Sequence, residues 1–375
     1  MKENYNEIIG KKLKKSREEL GLTQIDVAKK LRVSRDIIIK IEKGTRNVTA
    51  EELNLLSKIY SKDINYIINN SPNDEIYLKG IILAGGSGAR LYPVTKATSK
   101  QIVCVYDKPM IYYSLSVLML AGIKDILIIT TPEEQDNFKR LLGDGSQFGL
   151  NLTYENQLEP KGIAEAFIIG EKFIENNPCA MILGDNIFYG NGLKEELYQA
   201  SINAKNGFAT IFGYQVKDPE RFGVIEIDKN NRVLSVEEKP LKPKSDYAIS
   251  GLYFYPSGVA NKVKKIKPSQ RNELEITTLN NMYLQEKKLR ARILNEGYSW
   301  FDTGTFDSLL DASNMIKTIE TNRDIIICCP EKIAYDNNWI KKETILESAK
   351  LMSKNKYGKY LLKIVEKEDK KNEIN

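Results

Sequence analysis

Apolar side chains recur at a helical spacing near the start of the chain, first over residues 5–20. Thr23 is placed to cap a second helix and Ser34 to cap a third, because both residue types accept a hydrogen bond from the free amides at a helix start. Ile38 and Ile41 of the third helix would face inward. Two short helices joined by a turn of three or four residues have the geometry of a helix-turn-helix.

From residue 79 onward the pattern changes to short apolar runs that alternate with longer helical stretches. The pattern predicts helices at PMIYYSLSVLMLAGI and in a polar stretch before residue 142, and strands at GIILA, DILIIT, CAMILG and FATIFGY. Strands and helices in alternation indicate a largely parallel sheet with helices on both faces. Ligands of such a sheet bind at the carboxyl ends of its strands.

A polar stretch, NNSPNDE, separates these two patterns and lacks apolar periodicity. We therefore predict a helix-turn-helix domain at residues 1–68, a linker at 69–76, an α/β domain at 77–365 and a charged tail at 366–375. The predicted fold class is multi-domain. An N-terminal all-α bundle precedes a three-layer, Rossmann-like α/β domain with a mostly parallel sheet.

Composition narrows the chemistry, because the 375 residues include no histidine. This absence excludes Ser-His and Cys-His catalytic groups and histidine-ligated zinc. Carboxylates, lysines, arginines, backbone amides and an oxygen-bound metal remain. They suit phosphoryl or nucleotidyl transfer, where positioning and charge neutralisation provide most of the catalysis.

The chain shows no sequence signature of a membrane or secreted protein. No apolar run approaches the length of a membrane span, and the N-terminus lacks the apolar core of a signal peptide. The four cysteines show no C-x-x-C spacing. We therefore expect a cytoplasmic protein with reduced thiols and no membrane partner.

Positive charge is concentrated at one end of the chain. Residues 1–62 contain 15 Lys and Arg against 9 Asp and Glu, which accounts for the whole net charge of +6. The remaining residues are balanced, with 41 of each sign. An excess of positive charge in an appended module indicates a polyanionic partner.

The segment ILAGGSGARLYP, residues 82–93, has three glycines within four residues directly after a predicted strand. Such loops let the backbone approach a ligand, usually a phosphate. The segment matches neither the P-loop, which needs a Lys followed by Ser or Thr, nor the Rossmann fingerprint, which needs a third glycine where Leu91 stands. Two interpretations remain: the amides and Arg90 bind an anion, or the loop is a tight turn with a solvated arginine.

A second strand-end motif is ILGDN, residues 182–186, in which Asp185 follows an apolar run. A carboxylate at the end of a strand in a phosphate-binding sheet is a natural magnesium ligand. Such an aspartate often caps the next helix instead. The residues alone leave both interpretations open.

The order of motifs in the larger part of the chain resembles one known family. The sequence contains, in order, KGIILAGGSGARLYPVTKATSKQ, LGDNIFYGNGL, DPERFGVIEID, VEEKP, LEIT and WFDTGTFDSLLDAS. This order resembles that of the glucose-1-phosphate thymidylyltransferases, which are sugar-nucleotide pyrophosphorylases, over about residues 78–365. The resemblance implies conversion of dTTP and α-D-glucose 1-phosphate to dTDP-glucose and pyrophosphate, with Mg²⁺ as cofactor. It also implies a homo-oligomer.

The same resemblance implies roles for individual residues. The residues that would bind the triphosphate are Gly85, Gly86, Gly88, Arg90 and Lys100. Those that would contact the thymine and the sugars are Gln157, Gly162 and Asn186, and the Mg²⁺ ligands would be Asp185 and Asp302. Lys239 would bind the sugar phosphate, and the residues around glucose would be Gly223, Glu238, Gly251 and Trp300. The catalytic residues would be Arg90, Lys100 and Lys239.

The N-terminal segment GLTQIDVAKKLRVSRDIIIKIEKGTRN resembles the lambda-repressor-like (Xre-type) DNA-binding family, over about residues 7–68. By that resemblance the partner is double-stranded DNA, approached by Gln24, Arg35, Asp36 and Lys40, with Lys43, Arg46 and Asn47 near phosphates. Ile39 departs from the pattern, because the family often has a small polar residue there on the DNA-facing side. A module kept for dimerisation or partner docking is the alternative.

Four positions of the larger domain also depart from the family pattern: Ala89, Cys104, Lys161 and Thr278. None of them removes the two aspartates or either cation of the triphosphate site. Losing one hydrogen bond typically costs about 0.5–1.5 kcal/mol, so four such changes would sum to a slow enzyme. Two functions therefore remain open. One is an active nucleotidyltransferase with an attached DNA-binding module, and the other is a transcription regulator whose degenerate domain binds dTDP-sugars or dTTP without useful turnover.

Overall fold

The computed structural model describes residues 5–60, 64, 77–86 and 88–374 and, for Glu19 and 368–374, the backbone alone. Contacts along the chain divide it into two units, Met1–Glu75 and Ile76–Asn375. The predicted linker over residues 69–76 and the last four residues of the predicted first domain lie outside the described residues.

Within residues 5–60 the first unit forms four helices, α1 Tyr5–Glu19, α2 Gln24–Leu31, α3 Arg35–Glu42 and α4 Ala50–Tyr60. Thr23 caps α2 as predicted: its side chain accepts from the Asp26 amide, and the Asp26 carboxylate accepts from the Thr23 amide. Ser34 occupies the N-cap position of α3 but makes no side-chain capping hydrogen bond. The two helices of the predicted helix-turn-helix are therefore confirmed.

An apolar core holds these helices together, and its buried members are Ile9, Leu13, Val27, Ala28, Leu31, Ile38, Ile41, Leu56 and Tyr60. A buried ion pair stands beside this core, because Arg17 donates to the Glu42 carboxylate at 2.5 and 3.0 Å. Gly44 follows α3 with φ +69°, and a Cβ there would lie 2.4 Å from the Glu7 Cα. A glycine is therefore required where α1 approaches the end of α3.

Within its described residues, the second unit is built on a nine-stranded sheet. The strands of this unit, in chain order, are β1 Lys79–Leu83, β2 Cys104–Val105, β3 Lys108–Pro109, β4 Asp125–Thr130, β5 Asn151–Asn156, β6 Cys179–Leu183, β7 Asn186–Gly190, β8 Ala209–Gln215, β9 Gly223–Ile227, β10 Val233–Glu238, β11 Tyr247–Tyr255, β12 Leu289–Leu294 and β13 Tyr298–Asp302. The main sheet has the order β10-β9-β11-β6-β1-β4-β5, and β8 lies between β11 and β12. Two small sheets pair β13 with β7 and β2 with β3.

The main sheet is mixed. Strands β6, β1, β4 and β5 run parallel, as predicted, and β12 runs parallel to β8. Strand β11 pairs antiparallel with β6, β8 and β9, and β10 pairs antiparallel with β9. The parallel half carries the glycine loop, and the antiparallel half was not apparent from the apolar pattern.

Both faces of the sheet are covered, which gives the three layers predicted. Along β1, Ile82 belongs to one buried cluster, whereas Ile81 and Leu83 belong to another, because successive side chains point to opposite faces. The first cluster includes Leu115 from one helix, and the second includes Leu279 from another.

The helices of the second unit are Ile111–Leu120, Gln135–Leu142, Ala166–Ile169, Glu171–Ile174, Leu193–Lys205, Val259–Val263, Ile276–Gln285, Phe306–Arg323, Pro330–Asp336, Lys342–Leu351 and Lys356–Ile374. The last of these continues through most of the segment predicted as a charged tail. Among the described residues, no helix is long and apolar enough to cross a membrane.

Candidate active site and nucleic-acid interface

The glycine loop and Asp185 meet because their strands are neighbours. Strands β1 and β6 are parallel, with Leu83 opposite Leu183, and the Gly184 amide donates to the Leu83 carbonyl at 2.9 Å. The residues that follow each strand therefore lie at the same edge of the sheet. The aspartate caps no helix: β7 begins directly after it.

A cavity of about 260 Å³ opens at this edge. Its lining residues are Gly85, Gly86, Gly88, Ala89, Arg90, Lys100, Gln101, Asp185 and Gly304. Gly86 and Gly88 have φ of 114° and 58°, a backbone region that favours glycine. The structure thus brings together the five residues predicted for the triphosphate.

Lys100 and Asp185 form an ion pair in this cavity, with 2.6 Å between Nζ and Oδ2. Burial raises the pKa of Asp185, but the Lys100 ammonium and hydrogen bonds from Lys100 and Asn186 outweigh it, so the pKa lies below its ordinary value. Asp185 is therefore ionised at neutral pH, and the lysine holds its charge beside the glycine loop.

A second cavity, of about 340 Å³, adjoins the first. The predicted site residues that line it are Arg90, Asp185, Asn186, Gly223, Glu238, Lys239, Gly251, Trp300 and Asp302. Arg90 and Asp185 line both cavities. The sugar-side and phosphate-side predictions therefore meet at these two residues.

Asn186 connects three parts of the larger cavity. Its Oδ1 accepts from the Trp300 indole at 2.7 Å and from the Gly251 amide at 3.1 Å, and its Nδ2 donates to the Asp185 Oδ1 at 2.8 Å. Asn186 is buried, so its side chain orients Asp185 from within the protein. It acts on the carboxylate rather than standing free for a sugar.

Asp302 lies across from Asn186, because β13 pairs with β7 at that position. Burial raises the pKa of Asp302 above its ordinary value, and the Asp185 charge raises it further, while Lys100, Arg90 and Arg221 act in the opposite direction. The effect of Asp185 shows that the two carboxylates share one electrostatic environment.

The two aspartates fit a magnesium site only in part. Among the described residues, no group of three or more His, Cys, Asp or Glu side chains is arranged to hold a metal ion. Mg²⁺ commonly takes one or two carboxylates and completes its coordination with substrate phosphates and water. Asp185 and Asp302 supply hard oxygen donors that line the larger cavity with Arg90, so they suit the protein's share of a Mg²⁺ coordination sphere.

Glu238 and Lys239, which the resemblance assigns to the sugar and its phosphate, both line the larger cavity. Glu238 accepts from the Thr277 hydroxyl at 2.5 Å and from Arg271 at 3.4 Å. Lys239 has φ of 43°, and half of its side-chain surface is exposed. The lysine is thus accessible to a ligand, whereas the glutamate is held by its neighbours.

Gln157 and Gly162 are not among the residues that line either cavity. They lie beside the glycine loop, because a Cβ at Gly85 would be 3.0 Å from the Gln157 Oε1. The Gln157 amide nitrogen donates to Glu165 at 2.7 Å and weakly to the Gly162 carbonyl at 3.4 Å.

Several lining residues were missed by sequence reasoning. Arg221, Tyr253 and Thr277 line the larger cavity, and Gly304 lines the smaller one. A Cβ at Gly304 would lie 2.5 Å from the Arg90 guanidinium, so this glycine makes room for that side chain. Arg221 and Gly304 belong to the motifs DPERFGV and WFDTGTF, and their place in those motifs was the available signal.

The four departures from the family pattern are all exposed: Ala89, Cys104, Lys161 and Thr278. Ala89 alone of these lines a cavity. Lys161 forms an exposed ion pair with Glu159 at 3.0 Å. The departures therefore leave the charged groups of both cavities in position.

The predicted DNA-binding residues of the first unit fall into two groups. Arg35, Asp36, Lys40 and Lys43 are exposed, on or directly after α3. Gln24 donates to the buried Glu42, Arg46 forms two hydrogen bonds with Glu52, and Asn47 accepts from Asn6. The second group is thus held by neighbours within the unit.

Ile39 lies among the exposed charges of α3. Its side chain is half-buried and is not part of the apolar core of the unit, whereas Ile38 and Ile41 are. The exposed face of α3 therefore has an apolar residue between Arg35, four residues before it, and Lys43, four residues after it.

Comparison with known proteins places this geometry in a family. The model of the nucleotidyl transferase family matches residues 79–319, and a helix-turn-helix model matches residues 13–67. A glucose-1-phosphate thymidylyltransferase of Neisseria meningitidis is 54% identical over 290 residues, which is 77% of this chain and all of the relative. Its counterpart from Mycolicibacterium smegmatis is 48% identical over 291 residues, covering 78% of this chain and all of the relative.

A solved structure agrees with these relatives. A crystal structure described as a glucose-1-phosphate thymidylyltransferase from Bacillus anthracis, in complex with a sucrose, is 40% identical with a TM-score of 0.61. It matches 68% of this chain and 99% of the solved chain.

Two adjoining cavities on a mixed sheet, with cations and carboxylates at their junction, and the matches to these relatives together define a nucleotidyltransferase. The chain belongs to the nucleotidyl transferase family and, within it, to the glucose-1-phosphate thymidylyltransferases. The helix-turn-helix unit precedes the region shared with these relatives.

Proposed function

We propose that the second unit makes dTDP-glucose and pyrophosphate from dTTP and α-D-glucose 1-phosphate. The observation that carries this proposal is the sharing of Arg90 and Asp185 by two cavities. Two polyanionic substrates must meet at one point for nucleotidyl transfer, and the shared residues stand where a phosphate-binding cavity adjoins a sugar-sized one. The relatives carry the name of this activity.

The smaller cavity would bind the triphosphate. Gly85, Gly86 and Gly88 line it and would offer backbone amides to the anion, while Arg90 would provide a permanently charged planar fork and Lys100 a compact cation. Arg90 would stabilise the charge that develops on the leaving pyrophosphate. Lys100 already neutralises Asp185, so the nucleotide's α-phosphate meets a paired carboxylate instead of a bare one.

The larger cavity would bind glucose 1-phosphate. The exposed Lys239 ammonium is available to the sugar phosphate, and Glu238 supplies acceptors for hydroxyl groups. Gly223 and Gly251 line this cavity, and a Cβ at Gly251 would lie 2.8 Å from Asn186, so this glycine lets the Asn186 side chain approach the strand. Trp300 packs against Phe222 and Tyr214 and forms part of the wall.

The reaction is an in-line displacement. A phosphate oxygen of glucose 1-phosphate attacks the α-phosphorus of dTTP, the new phosphorus–oxygen bond forms, and the bond to the pyrophosphate oxygen breaks with its electron pair leaving on pyrophosphate. The attacking phosphate is already ionised at neutral pH, so no general base is required. The absence of histidine is therefore consistent with this chemistry.

Mg²⁺ is the cofactor we propose, held by Asp185 and Asp302. When bound, it would neutralise phosphate charge and orient the reacting oxygens. The test of the whole proposal is pyrophosphate release from dTTP and glucose 1-phosphate by purified protein, with each substrate omitted in turn. Release that requires both substrates supports the proposal, and its absence over the full range of Mg²⁺ concentrations rejects it.

A second candidate function is transcription regulation, with the nucleotidyltransferase unit acting as a sensor of dTTP or dTDP-sugars. The observation that favours it is the exposed charged face of α3, with Arg35, Lys40 and Lys43, within the first 62 residues, whose excess of basic over acidic side chains equals the net charge of the chain. We propose that this face binds double-stranded DNA. We also propose that the protein binds it as a homo-oligomer, since helix-turn-helix modules usually act in pairs.

DNA binding would reveal itself by its dependence on salt. Each neutralised phosphate releases counterions, so the affinity should fall steeply with salt, and Lys40→Ala should reduce the logarithmic slope by about 0.9. Lys58→Ala is the matched control, because Lys58 is an exposed lysine on α4, outside the α3 face. Equal slopes for the two variants would reject the assignment of α3 to DNA.

The two candidate functions separate when DNA binding and pyrophosphate release are measured on one preparation. If the second unit is a sensor, dTTP or dTDP-glucose should change DNA affinity by about 5- to 150-fold at fixed salt. Turnover without such a change supports an enzyme that carries a DNA-binding module. A nucleotide effect on DNA without turnover supports the regulator.

A further inference from the structure

The environment of Gln157 fixes the direction of its side-chain amide. Gln157 follows β5, its backbone amide donates to the Thr130 carbonyl at 2.8 Å, and only 8% of its surface is exposed. Its Nε2 lies 2.7 Å from a carboxylate oxygen of Glu165 and 3.4 Å from the Gly162 carbonyl. Both neighbours are acceptors.

Because a carboxylate and a carbonyl can only accept, the NH₂ group of Gln157 has to face them. The Oε1 of the same amide then points the other way, toward Gly85, where a built Cβ would lie 3.0 Å from it. Gly85 lines the smaller cavity. The protein therefore presents an acceptor, and not a donor, at the border of the cavity assigned to the nucleotide.

We propose that Glu165 is a positioning residue that sets which pyrimidine nucleotides the chain accepts: it holds Gln157 so that Oε1 accepts a hydrogen bond from the N3–H of the base. The proposal rests on the proposed function in one respect, the binding of a nucleoside triphosphate beside Gly85. It deepens that function by naming Glu165 as the side chain that directs the amide already assigned to the base.

Thymine and uracil carry an N3–H donor between two carbonyl groups, whereas cytosine carries a lone pair at N3. With cytosine bound in the same position, the N3 lone pair and the Oε1 lone pairs would face each other, and both would lose their hydrogen bonds to water. Sites that hydrogen-bond a substrate group commonly reject the analogue lacking it by several orders of magnitude. Thymine and uracil differ only at C5, so this amide does not separate them.

The acceptor oxygen of Glu165 is what keeps the amide in one direction. A residue at 165 that only donates would favour the opposite direction, with the Gln157 Oε1 turned inward and its NH₂ turned toward Gly85. An inverted amide would then match the N3 acceptor of cytosine. Base selectivity should therefore depend on a side chain that touches no substrate.

The experiment compares dTTP, dUTP and dCTP with wild type, Glu165→Lys and Glu165→Gln. Nucleotide dissociation constants are measured by calorimetry, and kcat and KM are measured by pyrophosphate release with glucose 1-phosphate. Glu165→Lys offers only donors. Glu165→Gln is the conservative control, because it retains one acceptor oxygen.

We expect wild type to bind dTTP and dUTP at least 100-fold more tightly than dCTP. Glu165→Gln should keep this preference within about threefold. Glu165→Lys should reduce it at least tenfold, through the dissociation constant and KM more than through kcat. A merely structural role would weaken all three nucleotides together and leave their ratio unchanged, and that result would overturn the proposal.

The wild-type measurements alone can also overturn the proposal, whatever the variants do: equal binding of dCTP and dUTP would suffice. Calorimetry and the pyrophosphate assay together distinguish failure of this inference from failure of the proposed function. Base discrimination in calorimetry without pyrophosphate release rejects catalysis and leaves the inference standing. Pyrophosphate release without discrimination rejects the inference and leaves catalysis standing, and binding of no nucleotide at all rejects both.

Discussion

Replacing Asn186 with Ala tests whether its side chain organises the site. The wild-type Oδ1 accepts from two donors, the Trp300 Nε1–H and the Gly251 N–H, at 2.7 and 3.1 Å. Truncation leaves both donors without their partner in a buried setting. Each such orphaned donor costs about 1–3 kcal/mol.

The expected loss of unfolding free energy is about 2–4 kcal/mol, at the lower end of the sum of two orphaned donors. The lower end applies because Asn186 lines a cavity of about 340 Å³, from which water can reach the two donors. The Asp185 carboxylate loses the Nδ2 hydrogen bond at the same time, so kcat should fall as well.

Urea unfolding followed by tryptophan fluorescence measures this loss in one unit of the chain. The protein has two tryptophans, Trp300 and Trp339, and both belong to the second unit, so the helix-turn-helix unit does not contribute to the signal. Asn281→Ala is the matched control: its Nδ2 makes one hydrogen bond, to the Val236 carbonyl at 3.0 Å, and its loss should cost about 1 kcal/mol. If Asn186→Ala cost no more than this control, the network around Asn186 would not stabilise the site.

Three further predictions concern charge. Asp185→Asn or Asp302→Asn should abolish pyrophosphate release, and normal turnover in both variants would reject the proposed metal ligands. Asp185→Asn should also lower the free energy of unfolding in urea, because the buried Lys100 loses its charged partner. Arg90→Ala should lower kcat by an amount equivalent to about 2–4 kcal/mol, since one charged stabiliser of the leaving group is lost; an unchanged kcat would make Arg90 a surface charge only. Burial raises the pKa of Glu331, against a hydrogen bond from Tyr357, so the native state favours the neutral acid. The contribution of the neutral Glu331 to stability is therefore complete below the ordinary pKa of 4.5 and is lost as pH rises through the raised native pKa. The gain in unfolding free energy of Glu331→Gln over wild type should therefore grow between pH 4.5 and 8 in urea titrations. A pH-independent gain would contradict this.

Local sequence was sufficient for the elements that local physics decides. The helices α2 and α3 follow from apolar spacing, and the cap of α2 follows from Thr23. Strands β1, β4, β6 and β8 follow from short apolar runs between polar residues. The glycine loop and its position after β1 were also predictable, because glycine spacing is a local property.

The antiparallel half of the sheet was not predictable in this way. Strand β11 is buried along nearly its whole length, and a buried strand has no alternating pattern that distinguishes parallel from antiparallel neighbours. Its pairing with β6, β8 and β9 depends on strands far away in the chain.

For the candidate site too, some features were predictable from local sequence and others only from the folded chain. The identities of the site residues came from motifs, whereas their contacts join residues separated by long stretches of chain: 85 positions between Lys100 and Asp185, and 114 between Asn186 and Trp300. Only the folded chain shows that Asn186 holds Asp185 and Trp300, or that Gln157 lies behind Gly85.

Tertiary packing likewise decided which charges of the first unit are free to act. The family resemblance predicted that Arg35 approaches DNA and that Arg46 lies near phosphates, but Arg35 is exposed on α3, whereas Arg46 is paired with Glu52 through two hydrogen bonds. Local sequence determines where a helix begins and which face is apolar, because those properties depend on residues three or four positions apart. Which partner a long charged side chain meets depends on how the helices pack, and that is determined by the burial of the whole core.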